Sequence, residues 1–186
     1  MAQRNILKKG DPQLEKHCRP VTEFNPRLHT LIDDMRQTLE KANGVGLAAP
    51  QVGVLRRVVL VLETNVDREN GEEEYMIELV NPEIIEQDGE QTGYEGCLSV
   101  PGKVGEVTRP NRVVVRYNDL DMNEWELEAE EFLARAICHE LDHLDGHLYV
   151  EKVNGELRDA SELQEAEEAG EGEDGGSEAP QDNSEK

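Results

Sequence analysis

The sequence predicts an α+β fold, with antiparallel strands packed around a central helix and a second helix near the N-terminus. Three observations lead there. Residues 132–146 carry apolar side chains at helical spacing and end in Gly146, a normal helix stop. Leu28, Leu31, Ile32, Met35, Leu39 and Ala42 keep the same period nearer the N-terminus. Between them lie short β-rich runs without the regular strand–helix alternation of a parallel sheet.

Residues 1–24 carry little pattern. Asn25-Pro26 then reads as a helix start, with Asn as the cap and Pro at the first helical position, and Asn43-Gly44 ends that helix. Next comes Gly44-Val45-Gly46-Leu47-Ala48-Ala49-Pro50-Gln51-Val52-Gly53, whose small residues let backbone approach closely. Its glycine spacing superficially matches a dinucleotide fingerprint. That motif follows a strand and opens a helix, however, whereas this one follows a helix and meets a proline, so nucleotide binding is rejected. Gln51, taken from this segment alone, reads as a turn residue bonded to backbone.

Residues 57–62 form a predicted strand, and residues 75–80 and 83–86 form two more, broken by Asn81-Pro82. The polar stretch 67–74 reads as a solvated loop. Residues 112–117 and 124–129 read as an antiparallel pair. Trp125, Leu127 and Ala129 alternate with Glu126 and Glu128, which predicts one buried and one wet face.

The central helix carries the chemistry. At about 100° per residue, Phe132, Ala136, His139 and His143 fall on one narrow arc, beside an apolar arc of Leu133, Ile137, Leu141 and Leu144. Glu131, Arg135, Cys138, Asp142 and Asp145 are left for a side expected to face solvent. His139-Glu140-x-x-His143 thus stacks two imidazoles one turn apart with a carboxylate beside them, the spacing for gripping a metal ion and handling the proton of a water. Two histidines hold a metal poorly, so a third protein ligand is expected. Cys138 lies on the polar side of the wheel and is excluded; His147 falls past the helix stop and could serve only through a tight turn. Cys18 sits among charged residues. Cys97, in Tyr94-Glu95-Gly96-Cys97-Leu98-Ser99-Val100-Pro101, has a glycine beside it and apolar anchors after it. From the residues alone it is open whether Cys97 is a ligand or a small buried hydrophobe.

The chain has 186 residues and a net charge of −23, and only 36% of it is hydrophobic. Residues 156–186 hold twelve Asp/Glu against one Arg and one Lys. This divides the chain into a domain over residues 1–155 and an acidic tail over 156–186 that is expected to be disordered, with a frayed helix open over 156–168 and disorder from Gly170 onward. An acidic surface is repelled by phosphate backbones and argues against nucleic acid as a ligand. No apolar run is long enough for a signal peptide or membrane span, and three cysteines suggest no disulfide framework. A cytoplasmic, reducing location is the expectation.

Together, Gly44-Val45-Gly46-Leu47-Ala48-Ala49-Pro50-Gln51, Glu95-Gly96-Cys97-Leu98-Ser99 and His139-Glu140-Leu141-Asp142-His143 resemble the three motifs of the peptide deformylase family, in order and spacing. The resemblance spans most of residues 1–150. It implies a hydrolase that removes the formyl group from the N-terminal formylmethionine of new polypeptides. Cys97, His139 and His143 match the metal ligands, and Glu140 the general acid/base. Gln51 and the Leu98 N–H match the oxyanion donors, which replaces the turn reading of Gln51. Val45, Gly46, Gly96, Leu98, Phe132 and Ala136 match the substrate pocket, and Glu95 and Arg109 an ion pair steadying the cysteine loop. The implied ion is Fe(II), with Zn(II), Ni(II) or Co(II) as possible substitutes. The implied partners are N-formylmethionyl nascent peptides near the ribosome, with no direct nucleic-acid or membrane binding. A zinc peptidase built on the same helix, and a metal-stabilised binding protein, are the alternatives. The first lacks a better-placed third ligand, and the second would need four protein ligands and no adjacent acid.

Overall fold

In the computed structural model, which describes residues 2–66, 70–71 and 73–163, two helices and eight strands build the α+β fold that the sequence predicts. Helix α1 spans Pro26–Ala42, and α2 spans Glu131–Leu144. Strands β1 (Gly46–Ala48), β2 (Val58–Glu63), β3 (Tyr75–Asp88), β6 (Arg112–Asn118) and β7 (Glu124–Glu130) form one antiparallel sheet in the order β1-β2-β3-β6-β7. Strands β4 (Gln91–Cys97), β5 (Val100–Arg109) and β8 (Arg158–Asp159) form a second, in the order β4-β5-β8.

Strand β2 explains the layering. Its buried run Val58-Val59-Leu60-Val61 sends alternate side chains to opposite faces of the sheet. Val58 and Leu60 pack with Leu28, Leu31, Ile32, Met35 and Leu39 of α1. Val59 and Val61 pack with Leu133, Ile137, Leu141 and Leu144 of α2, together with Ile77, Leu79, Val113 and Val115. The five-stranded sheet is therefore clad by one helix on each face. Each fully buried Leu or Ile side chain in these clusters contributes about 1.5–3 kcal/mol. A third, smaller cluster of Val100, Val107, Leu148 and Tyr149 fills the space beneath the β4–β5 hairpin, with Cys97 packed against it.

Helix α1 follows its sequence signals. The Asn25 side chain accepts from the Arg27 and Leu28 N–H groups, and Asn43 closes the helix in the left-handed region. Other expectations need correction. The break at Asn81-Pro82 does not split β3 in two. Asn81 takes a φ of 52°, and the register shifts between Val80 and Glu83, so the proline sits in a bulge. The Asn81 side chain pins that bulge to Val21 by two hydrogen bonds. Trp125 is 53% exposed rather than buried. It lies at the start of β7, where its indole N–H donates to Asp119 and keeps its polar end at the surface.

Part of the side of α2 expected to be wet is covered. Arg135 is buried against the second sheet, and Cys138 is buried in the α2-side core. Arg135 donates to the carbonyls of Gly93 and Val107, so its guanidinium replaces water's hydrogen bonds with protein ones. Cys18 is also buried, in the α2-side core. The β4–β5 hairpin and the short β1 were not among the expected strands, and five of their twenty residues are glycine, which weakens a strand signal. Strand β8 lies beyond residue 155, pairing with β5 at Lys103 and Val104, and residues 160–163 are helical. Most of the stretch 67–72 and residues 164–186 lie outside the described residues.

Candidate active site

Three segments meet at the inner arc of α2. The helix presents His139 and His143, both buried, with ring centroids 5.1 Å apart. The β4–β5 hairpin brings Cys97 to them, with its Sγ 3.3 Å from Nε2 of His143, 46 residues away in sequence. The candidate ligand atoms of Cys97, His139 and His143 all lie within 4.8 Å of one another. Cys138 and His147 take no part. The Cys138 thiol is buried and pushed up to about 11 by desolvation, and His147 Nδ1 pairs with Glu151.

The donor set fits a divalent cation. Glu95 accepts at 2.9 Å from His139 Nδ1, which leaves the other ring nitrogen, Nε2, free to coordinate. Arg109 in turn grips both oxygens of Glu95 at 2.9 Å and reaches Asp142 at 2.6 Å. Desolvation alone would raise the Glu95 carboxyl; the hydrogen bonds from Arg109 and His139 outweigh it and hold it down at about 2. The residue stays an anion and a firm acceptor. His143 is pushed well below its ordinary value, chiefly by burial, so it is a neutral imidazole ready to donate a lone pair.

Around the cysteine, the Ser99 N–H lies 3.4 Å from Sγ and Gln51 Nε2 lies 3.5 Å from it. The Gln51 amide is held the right way round. Its oxygen accepts from the Ala48 N–H at 2.8 Å, and its nitrogen donates to the Ser99 hydroxyl at 3.1 Å. Ser99 is fully buried and was not singled out by sequence reasoning. Its position two residues after Cys97 is the only signal that could have found it.

Glu140 is buried beside the histidines, and its Oε2 has no hydrogen-bond partner among the described residues. Burial pushes this carboxyl up to about 7, where a group can both take and return a proton near neutral pH. Gly46 makes room for it, since a Cβ there would stand 2.3 Å from Glu140 Oε1. A cleft of about 540 Å³ opens onto this group. Its lining includes Val45, Gly46, Gly96, Leu98, Phe132 and Ala136, all six of the expected pocket residues. Phe132 and Val45 are 46% and 39% exposed, leaving apolar surface at the cleft for a ligand to cover.

Comparison with known proteins agrees with this geometry. The family described as Polypeptide deformylase matches residues 3–159. The chain belongs to the peptide deformylase family. A peptide deformylase of Agathobacter rectalis is 62% identical over 161 residues, covering 87% of this chain and 96% of that protein. Among solved structures, a peptide deformylase from Legionella pneumophila has a TM-score of 0.74 at 40% identity, covering 82% of this chain and 87% of its own. A class I type b peptide deformylase from Acinetobacter baumannii with Met-Ala-Ser bound has a TM-score of 0.75 at 37% identity, covering 82% of this chain and 99% of its own. As a deformylase, the chain is a hydrolase that removes the N-formyl group from newly made polypeptides. The family is metal-dependent, and Cys97, His139 and His143 form a cluster able to hold the ion. No helix among the described residues is long and apolar enough to cross a membrane.

Proposed function

We propose that deformylation runs on an Fe(II) ion held by Cys97, His139 and His143, with Glu140 moving the proton. The observation that carries this reading is Glu140 Oε2, buried next to the ligand cluster and without a hydrogen-bond partner among the described residues. A divalent ion at that cluster polarises a carbonyl oxygen and acidifies water. Glu140 takes the proton of the attacking water and hands it to the departing amine, so its neutral-range carboxyl serves both halves of the reaction. Gln51 Nε2 and the Leu98 N–H donate to the oxygen that becomes negative in the tetrahedral transition state. The buried Ala48 bond keeps the Gln51 nitrogen facing the cysteine loop and supports that role.

The methionine side chain occupies the apolar part of the cleft, against Val45, Leu98, Phe132 and Ala136, with Gly46 and Gly96 allowing close approach. Glu95 and Arg109 steady His139 and the cysteine loop. The tripeptide in the Acinetobacter structure begins with methionine, as the product of such a reaction does. Zn(II), Ni(II) and Co(II) are substitutes for the ion. The catalytic domain acts in the cytoplasm on nascent chains near the ribosome, without binding nucleic acid or membrane. The acidic stretch after the domain takes no part in the chemistry.

The test is formate release from formyl-Met-Ala-Ser by protein loaded anaerobically with Fe(II). Turnover with Fe(II) that decays in air, as the Cys97 sulfur and the ion oxidise, supports the reading. Absence of formate from fully loaded protein refutes it.

A further inference from the structure

Tyr149 lies just past α2, is 1% exposed, and touches the site at two points. Its ring is stacked on that of His139, with centroids 5.8 Å apart and planes 27° from parallel. Its hydroxyl donates at 2.8 Å to the carbonyl of Lys103, 46 residues away.

The second contact falls at an irregular place. Strands β4 and β5 pair in register down to Gly96↔Val104, and the next pair is Cys97↔Val100. Residues 101–103 are therefore extra on the β5 side, and Gly102 among them has a φ of 72°. Such a bulge leaves backbone groups without a ladder partner and re-aims the chain next to active sites. Here Pro101, Gly102 and Lys103 all line the cleft. The Tyr149 hydroxyl takes up one of the carbonyls, and pairing of Lys103 with Asp159 of β8 holds the outer edge. None of these three residues belongs to the methionine pocket, so the wall they make is left for the peptide that follows the methionine.

We propose that Tyr149 is a positioning residue that joins the two ends of the site: its ring sets the His139 imidazole, and its hydroxyl sets the 101–103 bulge against the downstream residues of the substrate. The peptide half rests on the deformylase reading above. The ring half does not.

Two variants separate the halves. Tyr149→Phe keeps the ring and loses one hydrogen bond. It should bind Co(II) with unchanged affinity and absorption spectrum and turn over formyl-Met-Ala normally. Its KM for formyl-Met-Ala-Ser should rise about fivefold with kcat preserved. Tyr149→Met keeps bulk but removes the stacked ring, and should weaken Co(II) binding about tenfold and shift the Co(II) absorption. Equal KM changes for the two peptides in Tyr149→Phe would overturn the hydroxyl's role, since a merely structural defect would not distinguish peptide length. Unaltered Co(II) binding in Tyr149→Met would overturn the ring's role. If Tyr149→Met does not fold, a Co(II) spectrum altered in Tyr149→Phe refutes the division of labour by itself. No formate from the unsubstituted protein would remove the peptide half along with the enzyme reading, and Co(II) binding would still decide the ring.

Discussion

Helices α1 and α2 lie on opposite faces of the same sheet, yet they are held in different ways. Helix α1 has a side-chain cap at its start, a left-handed Asn at its end and one apolar face. Helix α2 has no side-chain cap, and its first residue, Glu131, has a φ of 50°. Its start is tied instead to the turn between β5 and β6, by the Glu131 N–H bonded to the Asn111 carbonyl. Helix α2 also buries Arg135, His139, Glu140 and His143, which α1 has no counterpart for beyond Asp34 and Thr38. A scaffold helix is stabilised by local signals and apolar contact; a functional helix depends on distant partners to satisfy its buried polar groups. The difference teaches that changes in α2 should act on chemistry and metal, whereas changes in α1 should act on stability alone.

The largest effect should come from Glu140→Ala. It should lower kcat by about 10²–10⁴ while metal content, measured on the purified protein, stays level. Activity surviving this change would place the proton transfer elsewhere. Next is Glu95→Gln, which removes the carboxylate behind His139. Metal affinity should fall about 10–100-fold in a chelator competition, with Glu140→Ala as the control that keeps its metal.

Glu95 also gives the comparison a pH axis. Its carboxyl is held at about 2 in the fold against an ordinary 4.5. A depressed acid stabilises fully above its unfolded value and loses that contribution as pH falls from about 4.5 to about 2. The metal-free protein should therefore lose about 3 kcal/mol across that window from this group. Urea midpoints measured through it should slope less in Glu95→Gln; an unchanged slope would rule out the ion pair as an acid-sensitive element.

The smallest effect belongs to α1. Asn25→Ala should cost about 1 kcal/mol in thermal or urea unfolding and leave kcat, KM and metal content alone. A drop in turnover per folded molecule would mean that α1 is coupled to the site after all.

Part of this site was legible in one dimension. His139, Glu140 and His143 share an arc because residues four apart stack on any helix. Gln51 and Cys97 were different: read alone, one was a turn residue and the other an open choice, and only the likeness of all three motifs to a family pointed to their roles. The wet face expected for α2 fails at Cys138, which packs into the hydrophobic core, and at Arg135, because a helical wheel assumes that charge means solvent. Here Gly93 and Val107 carbonyls replace that solvent.

By itself, then, the sequence determined what depends on neighbours along the chain: both helices, the caps of α1, the histidine pair, and the strands whose β-branched residues run together. Tertiary structure decided what depends on pairing across distance. It made a hairpin of the Gly-rich stretch that carries Cys97, placed Ser99 under the Gln51 amide, and wedged Tyr149 between His139 and Lys103. The physical reason is that helix periodicity is set by backbone geometry at each turn. The partner of a buried carboxylate or a bulged carbonyl is set only when separate strands and helices close around it.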